Sequence, residues 1–165
     1  MQNLMNELIT YRHMEKNDIP GVSDFIARVF RSAVGPLYPP EGVEEFMRYI
    51  QPDAFLKRLF SGHLTFQAEH DGKVIGAIHL RDFSHISLLF VDGEFQRRGI
   101  ARELLSLAVK TCRDKSPGLR RLTVNSSPNS APVYRRMGFQ DTGIEQVNNG
   151  IRFIPMVLNL EGGAQ

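Results

Sequence analysis

The stretch Ser87–Leu105, SLLFVDGEFQRRGIARELL, constrains the fold more than any other, because it reads as a strand, a tight turn and a helix start in direct succession. Ser87–Val91 is short and mostly apolar, which suits a strand covered on both faces. Asp92 and Gly93 break it. From Ile100 the apolar positions fall at helical spacing: Ile100, Leu104, Leu107, Ala108 and Cys112. With a further strand at 122–126, the unit is β-α-β, so the two strands should lie parallel in one sheet. The junction Gln96-Arg97-Arg98-Gly99-Ile100-Ala101 sits where a helix start leaves backbone N–H groups unpaired and the macrodipole is positive. Gly99 and Ala101 are small, and Arg97 and Arg98 add full charges, so an anion can approach the backbone. Most such junctions in α/β proteins bind nothing. This one is neither a Walker A loop nor a complete GxGxxG.

The rest of the chain supplies a sheet and helices around this unit. Leu8–Met14 predicts a first strand. Asn17 or Asp18 is a candidate N-cap, and Pro20 fits a first helical turn. An amphipathic stripe follows over Ile19, Val22, Phe25, Ile26, Val29 and Phe30, and Gly35-Pro36 ends it. Leu37–Gly42 reads as a loop. Two helical pieces come next, one carrying Val43, Phe46, Met47 and Ile50, the other Phe55, Leu56, Leu59 and Phe60. Leu64–Glu69, the Asp71-Gly72 turn and Val74–Leu80 predict a hairpin that leads into the central strand. Ser130 or Asn129 can cap a short helix with Pro132 in its first turn and Gly138 at its end. Phe139–Val147 and Ile151–Leu160 predict a closing hairpin, and Glu161–Gln165 a frayed tail.

A chain of 165 residues with 42% hydrophobic and 23% charged residues fits one soluble globular domain, 1–165. No apolar run is long enough to span a bilayer, so no membrane partner is expected. The amino-terminal MQNLMNELITYRHME does not read as a signal peptide. The one cysteine, Cys112, falls on the helix's apolar face and predicts core packing; a cytoplasmic location fits. Ten of the twenty Lys and Arg lie between Arg97 and Arg136, against two acids, Glu103 and Asp114. That local excess suits a polyanionic ligand. Nucleic acid would qualify by charge, but no recognised binding motif supports it. The five histidines (His13, His63, His70, His79 and His85) show no HExxH or Cys/His spacing, so no metal is expected.

Gln-x-x-Gly-x-Ala after a strand ending in Leu-Phe-Val resembles the acetyl-CoA pyrophosphate loop of the GNAT N-acetyltransferase superfamily. Asn125–Phe139, NSSPNSAPVYRRMGF, resembles the family's next strand and helix, in the same order and at about the same spacing. The two segments cover 85–139 closely; residues 1–84 match only in the order of elements. The resemblance implies a mixed, mostly antiparallel seven-stranded α/β sheet flanked by about four helices. Strands four and five would be parallel and splay apart at Val91. It also implies acetyl-CoA as co-substrate, with pantetheine amides on the backbone of Leu89, Phe90 and Val91. The pyrophosphate would lie on Gln96, Arg97, Arg98, Gly99, Ile100 and Ala101. Asn125 and Asn129 would contact the cofactor, Asn125 alternatively the acceptor.

The implied reaction is transfer of acetyl to a primary amine of a small molecule or peptide, by direct attack in a ternary complex. Tyr134 matches the tyrosine that protonates the departing sulfur; a phenol with pKa ~10 can donate at neutral pH. The competing reading is a core tyrosine. Some family members use a Glu on the fourth strand, eleven residues before the loop's Gln; here that position is His85. An imidazole can take the proton directly or through water, with His79 and Asp82 as alternatives, or His85 is a plain strand-end histidine. Tyr38 and Glu41 would lie near the acceptor pocket. A non-catalytic acyl-CoA sensor would need the same loop but no proton-handling groups. Acceptor identity and a homodimer both stay open at this level.

Overall fold

A computed structural model describes residues 8–160. The amino-terminal segment 1–7 and the expected tail at 161–165 lie outside the described residues. The elements run β1 Thr10–His13, α1 Ile19–Ala33, α2 Pro40–Tyr49, α3 Pro52–Arg58, β2 His63–His70, β3 Lys73–Arg81 and β4 His85–Val91. They continue with α4 Ile100–Lys115, β5 Arg121–Ser126, α5 Ala131–Arg136, β6 Gln140–Asp141, β7 Gln146–Asn148 and β8 Ile151–Asn159. The sheet order is β1-β2-β3-β4-β5-β8-β6, with β7 also on β8. Every pairing is antiparallel except β4 with β5. Expectation and structure agree on the mixed sheet and its one parallel pair.

The sheet is buried on both faces. On one side α4 sets Ile100, Leu104, Leu105, Ala108 and Cys112 against Phe66, Ile78, Leu80 and Ile86. Cys112 is a core residue, and burial raises its thiol pKa to about 11. Gly76 on β3 admits α4 at close range: a Cβ there would stand 3.0 Å from Ile100 Cγ2 and 3.2 Å from Leu104 Cδ1. On the other side α1 packs Val22, Phe25, Ile26 and Val29 against Ala77 and Leu88, with Ile50 and Phe55 beside them.

Four local differences from the sequence reading have physical causes. First, α2 begins at Pro40, so Pro40–Gly42 is its first turn rather than loop; a proline suits that position because the first N–H groups of a helix have no partner. Second, Asp18 does stand at the N-cap of α1 but does not cap it. Its carboxylate accepts from Arg12 at 2.7 Å and from the Glu15 backbone at 2.8 Å. Third, Ser130, not Asn129, is the N-cap of α5, again without a side-chain cap. Fourth, the expected strand 139–147 is split into β6 and β7, which makes eight strands beside five α-helices. Pro155 of β8 accounts for the break. Its carbonyl accepts from Thr142 at 2.8 Å, but it has no N–H to return, so the ladder stops there.

Candidate active site

Parallel pairing between β4 and β5 is confined to His85–Thr123 and Ile86–Val124. On its other edge β4 pairs His79 with Leu88 and Leu80 with Ile86, so Ser87 is the extra residue of a bulge. A bulge bends its strand and adds twist. The strands therefore part at Ser87, earlier than the Val91 expected from resemblance. From there the β5-facing edge of β4 has no strand partner, and a cavity of about 600 Å³ fills the gap.

The cavity brings together most of the residues singled out from sequence. Leu89, Phe90, Val91, Gln96, Asn125, Asn129, Tyr134, His85 and Tyr38 all line it. Gln96 Nε2 donates to the Val91 carbonyl at 3.3 Å, which ties the loop back to the end of β4. Arg97, Arg98, Gly99, Ile100 and Ala101 do not line the cavity; they follow Gln96 directly and open α4. Gly99 is the N-cap of α4 at φ 81°, and no side chain caps that turn. The left-handed backbone that glycine adopts without strain is what turns the chain from loop to helix. A Cβ on Gly99 would meet nothing within 4 Å. Ile100 buries its side chain in the core, so only its backbone faces the loop. Arg98 lies with its guanidinium carbon 5.0 Å from the centre of the Phe95 ring.

Tyr134 is buried, its ring edge-on to Phe139 at 5.2 Å between centroids. Burial raises its pKa above the ordinary 10.0, so the phenol stays protonated. His85 donates or accepts at Nδ1 with Thr123 Oγ1 at 2.7 Å. Burial, then the Arg81 guanidinium, pulls its pKa down to about 4, against a smaller opposing pull from Asp82. Its ring is neutral at physiological pH. The alternative His79 is sealed in the interior, with Nδ1 2.6 Å from Thr65 Oγ1 and Nε2 3.1 Å from His63 Nδ1, and is not at the cavity. Asp82 is exposed in the β3–β4 turn and does not line the cavity either.

The opposite wall of the cavity comes from α1, α2 and the segment between them: Val29, Phe30, Tyr38, Glu45, Phe46 and Tyr49 line it. Phe30 and Phe46 stack at 3.8 Å, and Phe46 meets Phe90 edge-on at 5.8 Å. The structure does not bring Glu41 to the cavity. It packs against the β7–β8 turn, where a Cβ on Gly150 would stand 2.7 Å from its Cγ. Glu45, one helical turn on, is the carboxylate that lines the cavity, and it pairs with Arg48 at 2.8 Å. Glu45, Tyr49 and Arg81 were not singled out from sequence. Tyr49 falls three residues after Phe46 on the apolar stripe and was readable; a Glu on a surface helix gives no such signal. Among the described residues no cluster of three or more His, Cys, Asp or Glu is placed to hold a metal. No helix among them is long and apolar enough to cross a membrane.

Three solved structures described as acetyltransferases share this shape. The GCN5-related N-acetyltransferase from Rhodopseudomonas palustris superposes with a TM-score of 0.75 at 21% identity, over 93% of this chain and 97% of its own. The PaiA N-acetyltransferase from Thermoplasma acidophilum, in complex with coenzyme A, gives 0.77 at 17% identity, over 93% and 100%. The ribosomal-protein-S18-alanine N-acetyltransferase from Escherichia coli gives 0.65 at 19% identity, over 96% and 99%. These likenesses establish the fold. Among curated proteins none matches the sequence. The family model described as an acetyltransferase (GNAT) domain matches residues 34–160, which include β4, β5, the loop before α4 and every cavity-lining residue except those of α1. The chain therefore belongs to the GNAT acetyltransferase family.

Proposed function

We propose that the chain, as one domain, is an acetyl-CoA-dependent N-acetyltransferase that moves acetyl to a primary amine by direct attack in a ternary complex. The observation that carries this is the parting of β4 and β5 at Ser87 over a cavity lined as far as Gln96, on the loop that leads to the uncapped start of α4. A strand edge without a partner leaves backbone groups to satisfy. The two amides of pantetheine would do so along Leu89–Val91. The pyrophosphate would follow onto the backbone N–H groups of 97–101, with Arg97 and Arg98 beside it. Asn125 and Asn129 would hold the cofactor from the β5 side. The acceptor would enter past Tyr38 and the aromatic wall, and Tyr134 would protonate the leaving thiolate.

Acetyl-CoA is expected to stabilise the fold. At about 100 times its dissociation constant it should add ~2.7 kcal/mol, read as a rise in melting temperature. No shift at millimolar acetyl-CoA sinks the cofactor assignment. Thiol release with a panel of amines (spermidine, L-glutamate, kanamycin and a peptide with free amino-terminal alanine) then separates enzyme from sensor. Tight binding without transfer to any amine favours the sensor.

The loop itself is tested at Gly99. Gly99→Glu is expected to weaken acetyl-CoA binding roughly 10–100-fold, the worth of about one hydrogen bond to a charged group, while the fold persists. Since an added Cβ meets no neighbour within 4 Å, the loss would come from charge and from the backbone at φ 81°. Gly99→Ala carries the backbone strain without the charge and isolates that part. Unchanged affinity in Gly99→Glu, measured by calorimetry, would show that the anion site lies elsewhere.

A further inference from the structure

His85 and Thr123 are opposed in the register of β4 and β5, at one of the two positions where those strands pair. Their side chains are joined as well, Nδ1 to Oγ1 at 2.7 Å. The partners face different spaces. His85 lines the large cavity between the strands. Thr123 lines a second opening with Ser84, Arg120, Arg121 and Asn159, and the two spaces share no lining residue. With Nδ1 held by Thr123, Nε2 is the ring nitrogen left for a molecule in the large cavity. It has no hydrogen-bond partner among the described residues.

We propose that Thr123 is a positioning and relay residue, through which His85 passes the acceptor's ammonium proton to water in the second opening. The inference rests on the N-acetyltransferase reading above. An amine attacks only as the free base, and a ring that stays neutral is unsuited to storing a proton. Such a ring can pass one, because imidazole and hydroxyl each donate and accept at once. The ammonium proton moves to His85 Nε2 as the Nδ1 proton moves to Thr123 Oγ1. The threonine's own proton goes to water, and the imidazole changes tautomer without gaining charge. The freed lone pair attacks the thioester carbonyl carbon, and the C–S bond breaks as the tetrahedral intermediate collapses. The nitrogen's second proton, lost in that collapse, balances the one taken by the thiolate. Exchange with water at both openings restores the starting tautomer. Arg81 at the end of β3 opposes an imidazolium, with Asp82 only partly offsetting it, which favours passing the proton on over storing it.

The test compares Thr123→Val, which keeps the shape and removes the hydroxyl, with Thr123→Ser, which keeps the hydroxyl. Each is assayed by thiol release against the wild type with spermidine, L-glutamate, kanamycin and the alanine-terminated peptide. Thr123→Val is expected to lower kcat about 10–100-fold near pH 7, up to the lower end of a general-base contribution because His85 itself remains, with KM for acetyl-CoA unchanged. The deficit should shrink as the pH nears the acceptor amine's own pKa, where water supplies the free base. Thr123→Ser should retain most of the rate. Nitrogen-15 NMR of the imidazole gives a readout independent of turnover: the Nδ1–H tautomer of His85 should dominate in the wild type and Thr123→Ser and lose its dominance in Thr123→Val. A wild-type protein inactive on every probe overturns the acetyltransferase reading and the relay with it. An active wild type beside an equally active Thr123→Val overturns the relay alone. So does a loss of rate that is the same at every pH, or a His85 tautomer that ignores the substitution.

Discussion

Tyr134→Phe is expected to bind acetyl-CoA as the wild type does and to lose roughly 10²–10⁴-fold in the chemical step, the range of a fully used general acid. The substitution removes one oxygen and keeps the ring. That ring is buried on α5, edge-on to Phe139 at 5.2 Å, so packing survives the change. What is lost is a proton donor on the wall of the cavity. Burial holds the phenol's pKa above 10.0, so the donor is present throughout the neutral and mildly alkaline range. A thiolate is already a fair leaving group, and water can substitute in part, which favours the lower end of the range. Single-turnover acetyl transfer, measured beside direct binding of acetyl-CoA, separates the two effects. Transfer at the wild-type rate would leave Tyr134 a packing residue.

The parts of this site that were legible in the sequence are those set by local chain geometry. The strand–loop–helix unit, the glycine that turns it at residue 99 and the tyrosine on the short α5 all follow from neighbours in sequence. His85 was found by resemblance, counting back eleven residues from Gln96, and β4 does carry it to the cavity. What was not legible depends on contacts between distant segments. The parting of the strands is fixed by a bulge at Ser87, which exists only in the register between β3 and β4. Which glutamate of α2 faces the cavity is set by how the β7–β8 turn packs on the helix start: Glu41 lies against that turn at Gly150, and Glu45 lines the cavity. Asp18 loses its capping role because β1 brings Arg12 alongside it. His85 as a base was a reading of its position by resemblance and of its residue type. The depth of its position and the nearby Arg81 guanidinium lower its proton affinity, and no residue in its sequence window announces that depth.

Acid is expected to destabilise the fold well before the carboxylates titrate, and His79 is the main reason. It is 2% exposed, hydrogen-bonded at both ring nitrogens and flanked edge-on by Phe55 and Tyr49. Burial, then the Arg58 guanidinium and His63, lowers its pKa from 6.5 to about 3. In the unfolded chain the same ring takes a proton near pH 6.5. Below that pH the unfolded state therefore binds a proton that the folded state refuses, and stability falls as pH falls. The contribution is complete above pH 6.5 and is lost progressively down to about pH 3, on the order of 4 kcal/mol for this one group. His63 and His85 are shifted in the same direction and add to the effect. Asp18, Asp92 and Asp141 are shifted downward too, so their losses come at lower pH still. Urea unfolding between pH 7.5 and 4.5 isolates the histidines. His79→Gln cannot take up a proton, and below about pH 6.5 its stability should fall less steeply, by roughly 1.4 kcal/mol per pH unit. Equal slopes for both proteins would mean that His79 is protonated in the folded state.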